Sequence, residues 1–177
     1  MQDIYVNDSG KGVPLVLVHG FLGASEMWKP QIKYFQNNFR VLTPALPGFG
    51  KSSKIDSCDS IECMAKAILN SLYKIGIDRF NLLGHSMGGM VAQEMTKFTD
   101  DRILKLIFYG TGPRGNIPGR FETIEESRKK LVANGLKITA KRIAKTWFLD
   151  EDKAKYFYLC EAAGKQTSLE AVDNGLV

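Results

Sequence analysis

Short apolar runs alternate along this chain with longer amphipathic segments, and this alternation restricts the possible folds more than any other feature. Four apolar runs are predicted as strands, at residues 13–18, 39–42, 80–83 and 103–109. Strands that are apolar on both faces occur in parallel sheets covered by helices. We therefore predict an α/β fold with a mostly parallel sheet and helices on both faces. Residues 4–7, before Asp8-Ser9-Gly10, are predicted as an antiparallel edge strand.

The segments between these runs have the periodicity of helices. Residues 59–75 place their apolar side chains on one helical face: Ile61, Met64, Ile68, Leu72 and Ile75. Asp59 and Glu62 have the spacing of a capping box, and Gly76 is a natural helix end. Residues 88–98 are predicted as a second helix.

The character of the chain changes after Gly110. Residues 111–119 contain three glycines and two prolines, which is typical of a loop or hinge. We predict that residues 1–112 form part of an α/β core and that residues 113–177 form a helical cap. No strand is expected after Tyr109.

Within the predicted cap, Thr123 and Glu126 have the spacing of a capping box at a helix start. Asn134-Gly135 is expected to end that helix. Further helices are predicted at residues 136–148 and 150–163.

One segment carries a chemical signal, Gly84-His85-Ser86-Met87-Gly88 between a predicted strand and a predicted helix. This is the sequence and the context of a nucleophile elbow, in which a serine occupies a strained turn. The residues two before and two after the serine must be small, as Gly84 and Gly88 are. The amide of Met87 would lie at the helix start, where it can bind a developing oxyanion. The alternative is a chance glycine-rich turn.

A second candidate donor follows the first apolar strand, in His19-Gly20-Phe21. An oxyanion hole needs another amide from a loop at the same edge of the sheet. We predict that the amide of Phe21 supplies it and that Gly20 allows the backbone to approach Ser86.

Together with Trp28 and Pro47-Gly48-Phe49-Gly50-Lys51-Ser52, these motifs resemble the α/β-hydrolase fold superfamily in order and spacing. The similarity is to its capped esterases, lactonases and carbon–carbon bond hydrolases, over residues 4–113 and more loosely through the cap. The resemblance implies a serine hydrolase that acts on a small ester, lactone, thioester or activated carbon–carbon bond. It implies the nucleophile Ser86, the oxyanion donors Phe21 and Met87, and a pocket that includes Gly20, Trp28 and His85. It implies no metal and no organic cofactor.

Two other motifs fail. Gly50-Lys51-Ser52 lacks the first glycine of a phosphate-binding loop, because position 45 is alanine. The glycines at 110, 112 and 115 mimic a dinucleotide fingerprint, but Pro113 removes an amide donor and Pro118 opposes the required helix.

The sequence lacks an evident base for Ser86. Its only histidines are His19 and His85, and both are expected to be structural. In the resembled family the triad acid follows a later strand and the histidine lies near the C-terminus. We therefore expect a chain cut within the cap, with an open sheet edge and weak or no activity. The alternatives are a non-catalytic, ligand-binding remnant, and a homo-oligomer whose subunits complete the sheet.

Composition excludes several other classes. No apolar run approaches the ~20 residues of a membrane span, and the N-terminus does not resemble a signal peptide. The net charge of +5 is dispersed, and the basic residues at 128–145 have the spacing of a solvated helix face. An electrostatic attraction for anionic substrates is the alternative interpretation of this charge. We expect neither nucleic-acid nor membrane partners, and a cytoplasmic location. Cys58, Cys63 and Cys160 are predicted to be reduced thiols.

Overall fold

The computed structural model describes residues 2–99, 101–113 and 122–176 of the 177-residue chain. The strands are β1 (Val6–Ser9), β2 (Val13–Val18), β3 (Phe39–Pro44), β4 (Phe80–His85) and β5 (Ile103–Tyr109). The helices are α1 (Lys29–Phe35), α2 (Ile61–Lys74), α3 (Met87–Met95), α4 (Ile124–Lys145), α5 (Phe157–Lys165) and α6 (Leu169–Asn174). Most of the loop predicted at residues 111–119 lies outside the described residues.

The strands form one sheet in the order β1-β3-β2-β4-β5. Strand β1 pairs with β3 in the antiparallel sense, and the other neighbouring strands are parallel. The predicted fold class, with its antiparallel edge strand, is therefore confirmed. Because β2 and β4 lie next to each other, the loops that follow them meet at the same edge of the sheet.

Both faces of the sheet are covered by helices. On one face, Ile68 of α2 and Val91 of α3 belong to the main apolar core together with Leu82 of β4. On the other face, Ile32 and its apolar neighbours on α1 pack against Leu15, Leu17 and Val41. Burying apolar surface on both sides holds β2 and β4 rigidly in the centre of the sheet.

The start of α2 differs from its prediction. The helix begins at Ile61, and the hydroxyl of Ser60 accepts a hydrogen bond from the amide of Cys63 (3.2 Å). Ser60, rather than Asp59, therefore caps the helix. The predicted end is confirmed, because Gly76 follows in the left-handed conformation with φ 74°.

The predicted state of the cysteines is wrong for two of the three. The structure joins Cys58 to Cys63 as a disulfide, with a Cα–Cα distance of 5.6 Å. The turn before α2 returns the chain toward the first helical turn, so two cysteines five positions apart become neighbours. Cys160 is a free, buried thiol.

Strand β5 forms an open edge, as expected. Among the described residues no strand pairs with its outer side. The edge exposes four large apolar side chains: Leu104, Ile107, Phe108 and Tyr109. Self-association through this edge stays a prediction.

After β5 the described residues are helical, with no further strand, as predicted. The capping box of Thr123 and Glu126 is present, and Gly135 interrupts α4 with φ 73° and ψ 168°. The helix predicted at residues 150–163 begins later, at Phe157, after a short 3-10 turn at Glu151–Lys153. No helix in the described ranges is long and apolar enough to cross a membrane.

The helical segment packs onto the loop that follows β2. Leu22 of that loop is buried against Ile143, Val172 and Leu176. The amide of Ser168 donates a hydrogen bond to the carbonyl of Gly48 (2.8 Å). The helices therefore form a roof over the edge of the sheet at which β2 and β4 end. The domain boundary after residue 112 stays a prediction.

Candidate active site

Ser86 occupies a sharp turn between β4 and α3. Its backbone has φ 53° and ψ −123°, a conformation with positive φ that residues other than glycine rarely adopt. Two hydrogen bonds hold the turn: the Ser86 amide donates to the carbonyl of Tyr109 (3.0 Å), and the Gly89 amide donates to the carbonyl of Ser86 (2.8 Å). The surrounding sheet and helix thus enforce a strained serine, as the sequence predicts.

The glycines around Ser86 leave no room for a side chain. A Cβ on Gly84 would meet the carbonyl of Gly88, and a Cβ on Gly88 would meet the carbonyl oxygens of Val18 and His19. These obstacles are backbone atoms, which cannot move aside. The requirement for small residues on both sides of the turn is confirmed.

The loop after β2 lies directly against Ser86. A Cβ on Gly20 would be 2.9 Å from the Ser86 Cβ and 3.1 Å from the His85 carbonyl oxygen. The amide of Met87, the first residue of α3, has no acceptor within its own helix. Within the described residues, neither this amide nor that of Phe21 donates to a protein acceptor. Both amides are therefore available to a bound group.

His19 is buried beneath this loop and has a structural role. Its Nδ1 donates a hydrogen bond to the Gly20 carbonyl (2.8 Å), while its Nε2 accepts from the amide of Leu46 (3.1 Å). This pair of bonds requires a neutral ring with the proton on Nδ1. Burial lowers the pKa of His19 to about 4. The imidazole thus braces the Gly20 loop and has no free nitrogen for Ser86.

We expect acid to destabilise the fold through His19. The unfolded chain binds a proton below about pH 6.5 while the folded ring resists it until about pH 4, so stability falls as the pH falls through this window, by up to about 3 kcal/mol. NMR titration of the two histidines tests this directly. A His19 signal that titrates near pH 6.5 would contradict the buried, neutral ring.

His85 lines the cavity above Ser86, as the resemblance implies. Its ring packs against that of Tyr109 at 5.3 Å, and burial lowers its pKa. Within the described residues it makes no hydrogen bond to Ser86. The ring of His85 therefore forms part of the cavity wall and is not hydrogen-bonded to Ser86.

Trp28 does not lie where the resemblance implies. Its ring stands edge-on to His85 at 6.5 Å and packs against the sheet core with Leu15 and Leu17. Among the described residues, Met27 lines the cavity in its place. Both belong to the 3-10 turn Ser25–Trp28, in which successive side chains point about 120° apart, so only one of them faces the cavity.

The cavity has a volume of about 520 Å³, within the range of small-molecule sites. Gly20, Phe21, His85, Ser86 and Gly110 form its floor at the edge of the sheet. The helical segment and Met27 supply the remaining lining residues: Ser127, Ile143, Trp147, Phe148, Cys160 and Leu176. Four of the predicted site residues, Gly20, Phe21, His85 and Ser86, thus meet at one cavity.

A buried carboxylate that the sequence did not reveal supports the roof. Glu122 accepts hydrogen bonds from Ser127 (2.5 Å), Lys130 (2.7 Å) and Arg142 (2.9 and 3.0 Å). Burial alone would raise its pKa, but the bonds from Arg142, Lys130 and Ser127 lower it to about 2. Glu122 therefore stays ionised and ties together the two halves of α4 on either side of Gly135.

The site and the fold agree with a known family. The family model of the α/β-hydrolase fold matches residues 13–138, which include the elbow and the loop after β2. The chain belongs to the α/β-hydrolase fold family. Among the residues described for this α/β-hydrolase chain, no group of three or more potential metal-ligating side chains occurs.

Relatives of this α/β-hydrolase chain are named as hydrolases and esterases. It is 34% identical over 113 residues to a pimeloyl-[acyl-carrier protein] methyl ester esterase of Legionella pneumophila, covering 64% of this chain and 44% of the relative. It is 28% identical over 99 residues to an (E)-2-((N-methylformamido)methylene)succinate hydrolase of Acinetobacter baylyi, covering 56% and 38%. The chain thus spans about two fifths of these relatives' length.

Solved structures extend the similarity through the helical roof. A thermophilic esterase from Thermogutta terrifontis superposes with a TM-score of 0.75 at 27% identity. The alignment covers 96% of this chain and 66% of that one. The predicted membership of the α/β-hydrolase superfamily is confirmed.

Proposed function

We propose that this chain carries the nucleophile and oxyanion hole of a serine hydrolase. The substrate class is a small ester, lactone, thioester or activated carbon–carbon bond, and the reaction passes through an acyl-enzyme. The observation that carries the proposal is Ser86 itself. Its backbone conformation, with φ 53°, is energetically unfavourable for any residue other than glycine, and such strain is typical of functional sites. Ser86 also lines a cavity, and the amides of Phe21 and Met87 are available to a bound group. The hydrolase and esterase names of the relatives support the same reaction class.

In the proposed reaction the Ser86 hydroxyl attacks the substrate carbonyl and loses its proton to a base. The tetrahedral oxyanion accepts hydrogen bonds from the amides of Phe21 and Met87, and the positive end of α3 favours its charge. Collapse expels the leaving group, which takes the proton from the base, and leaves an acyl group on Ser86. Water then releases the acid, again with the help of a base.

The described residues do not supply that base. Both nitrogens of His19 are bonded elsewhere, and His85 makes no hydrogen bond to Ser86. A serine hydroxyl without a base is a poor nucleophile, although an oxyanion hole alone retains part of the rate enhancement. We therefore propose that the 177-residue chain by itself turns over slowly.

Hydrolysis of p-nitrophenyl acetate by the intact chain and by its Ser86→Ala variant tests this proposal. We expect steady-state rates that are nearly the same, because repeated turnover needs the base in both half-reactions. Intact mass must first show that the purified protein ends at Val177. Fast Ser86-dependent turnover would show that His19, His85 or a second chain supplies the base.

The second candidate function is ligand binding without catalysis. The engagement of His19 in the fold, together with a formed cavity, favours it for this polypeptide. The two functions differ in the reactivity of Ser86 toward a fluorophosphonate. The cytoplasmic location and the expected lack of nucleic-acid partners stay predictions.

A further inference from the structure

The cavity above Ser86 has two chemically different sides. Its floor carries the hydroxyl of Ser86 and is otherwise lined by Gly20, Phe21, His85 and Gly110. Its roof presents hydrocarbon and aromatic side chains: Met27, Ile143, Trp147, Phe148 and Leu176. A ligand that reaches Ser86 with a polar group must therefore place the rest of its structure against the apolar roof.

The roof side chains are held in place by their own packing. Ile143 and Leu176 are buried in the cluster that includes Leu22. Phe148 packs edge-on against Phe157 with ring centroids 6.0 Å apart. Because these side chains are already held in place, binding a ligand against them costs the protein little conformational entropy.

Among the described residues that line the roof, the polar side-chain atoms are neutral, and they are either already hydrogen-bonded or weak hydrogen-bonding groups. The hydroxyl of Ser127 donates its hydrogen to Glu122. Burial raises the pKa of the Cys160 thiol to about 11, so that it stays protonated at neutral pH. The basic side chains Lys141 and Lys145 of α4 bind Glu161 and Asp152 instead. A carboxylate placed against this wall would lose its water without gaining a partner among the described lining residues.

Trp147 borders the cavity and remains 39% exposed, which places it at the mouth. It follows the end of α4, and its amide donates to the carbonyl of Ala144 (3.2 Å). An indole at this point offers a flat surface to an alkyl chain or an aryl ring as either enters.

We infer that the roof is a binding subsite for an uncharged alkyl or aryl group, and that Trp147 is its specificity-determining residue. The inference rests on the proposed function only for the ester or related carbonyl at Ser86. The proposed subsite disfavours substrates with a carboxylate at the far end, even though one relative is named as the hydrolase of a succinate derivative.

A matched pair of unreactive ketones tests the inference. 2-Octanone and 7-oxooctanoate share the same carbonyl position, but the latter ends in a carboxylate. Binding is measured in the Ser86→Ala variant, so that no covalent step contributes. The two readouts are the intrinsic fluorescence of Trp28 and Trp147 and the protection of Cys160 from methyl methanethiosulfonate, measured at about pH 9, where more of the thiol is ionised. We expect 2-octanone to bind and to slow Cys160 modification, and 7-oxooctanoate to bind at least tenfold more weakly.

Two further comparisons test the contributions of the alkyl chain and of Trp147 to binding. Shortening the ligand to 2-hexanone removes two methylenes and should weaken binding roughly tenfold. Trp147→Ala, read through Cys160 protection, should weaken 2-octanone binding at least fivefold, whereas Leu149→Ala, at a fully exposed position nearby, should not. If Trp147→Ala does not fold, Cys160 protection by the two ketones in the native cap decides alone.

Equal or tighter binding of 7-oxooctanoate would overturn the inference, and so would 2-octanone that leaves Cys160 unprotected. These outcomes are separate from the proposed function. Ketone binding without any reactivity of Ser86 would leave the subsite standing and remove the hydrolase, and the reverse pattern would remove only the subsite.

Discussion

Gly88→Ala is expected to destabilise the fold by about 3 kcal/mol or more. The added methyl group would meet the carbonyl oxygens of Val18 and His19, both of which belong to the backbone. The N-terminus of α3 would have to move away from β2, although alanine is otherwise the better helix former. Urea unfolding of the purified variant measures the loss of unfolding free energy.

Gly76→Ala is the matched control for this substitution. Gly76 has φ 74°, but nothing lies within 4 Å of an added Cβ. Its replacement should cost only the strain of a left-handed residue, about 1 kcal/mol. A Gly88→Ala variant as stable as the Gly76→Ala control would refute the close approach of α3 to β2.

Glu122→Gln is expected to cost about 2–4 kcal/mol at neutral pH. The side chain of Glu122 is 2% exposed and forms ion pairs with Arg142 and Lys130, so the neutral amide removes a buried negative charge from both pairs. Because the folded pKa is about 2 and the unfolded value about 4.5, this contribution is present above pH 4.5 and is lost as the pH falls toward 2. The difference in stability between the variant and the parent chain should shrink over that range.

Glu125→Gln provides the comparison for Glu122. Glu125 pairs with Lys129 on the same helix but is 77% exposed, so its removal should change stability very little. Hydrogen exchange can show where each variant loosens. Glu122→Gln should raise the rate of amide exchange in both halves of α4, whereas Glu125→Gln should not. The same exchange rates in the two variants would argue that Glu122 does not hold the two halves of α4 together.

The elbow could be predicted from sequence because its constraints are local. Gly84, Ser86 and Gly88 lie within five positions, between a strand and a helix that hydrophobic periodicity already indicates. A strained serine and the need for small neighbours follow from backbone geometry alone. The mostly parallel sheet could be predicted for a similar reason, since apolar strands alternate with amphipathic helices along the chain.

The features that were missed depend on contacts between distant residues or on the phase of a short turn. Glu122 is buried because the kink at Gly135 brings Arg142, twenty positions away, back against it. No local sequence pattern predicts this contact. Met27 rather than Trp28 lines the cavity because the two residues are adjacent in a 3-10 turn, so that their side chains point in different directions. The pairing of Cys58 with Cys63 depends on the path of the chain before α2, which spacing alone does not determine.

The most direct test of the central claim, that Ser86 is a preorganised nucleophile, is extended incubation with a fluorophosphonate followed by intact mass and peptide mapping. We expect one slow adduct, located on Ser86 and missing in Ser86→Ala, because two amides can bind the developing oxyanion even without a base. An unmodified chain, or adducts spread over other hydroxyl groups and unchanged by Ser86→Ala, would contradict the claim.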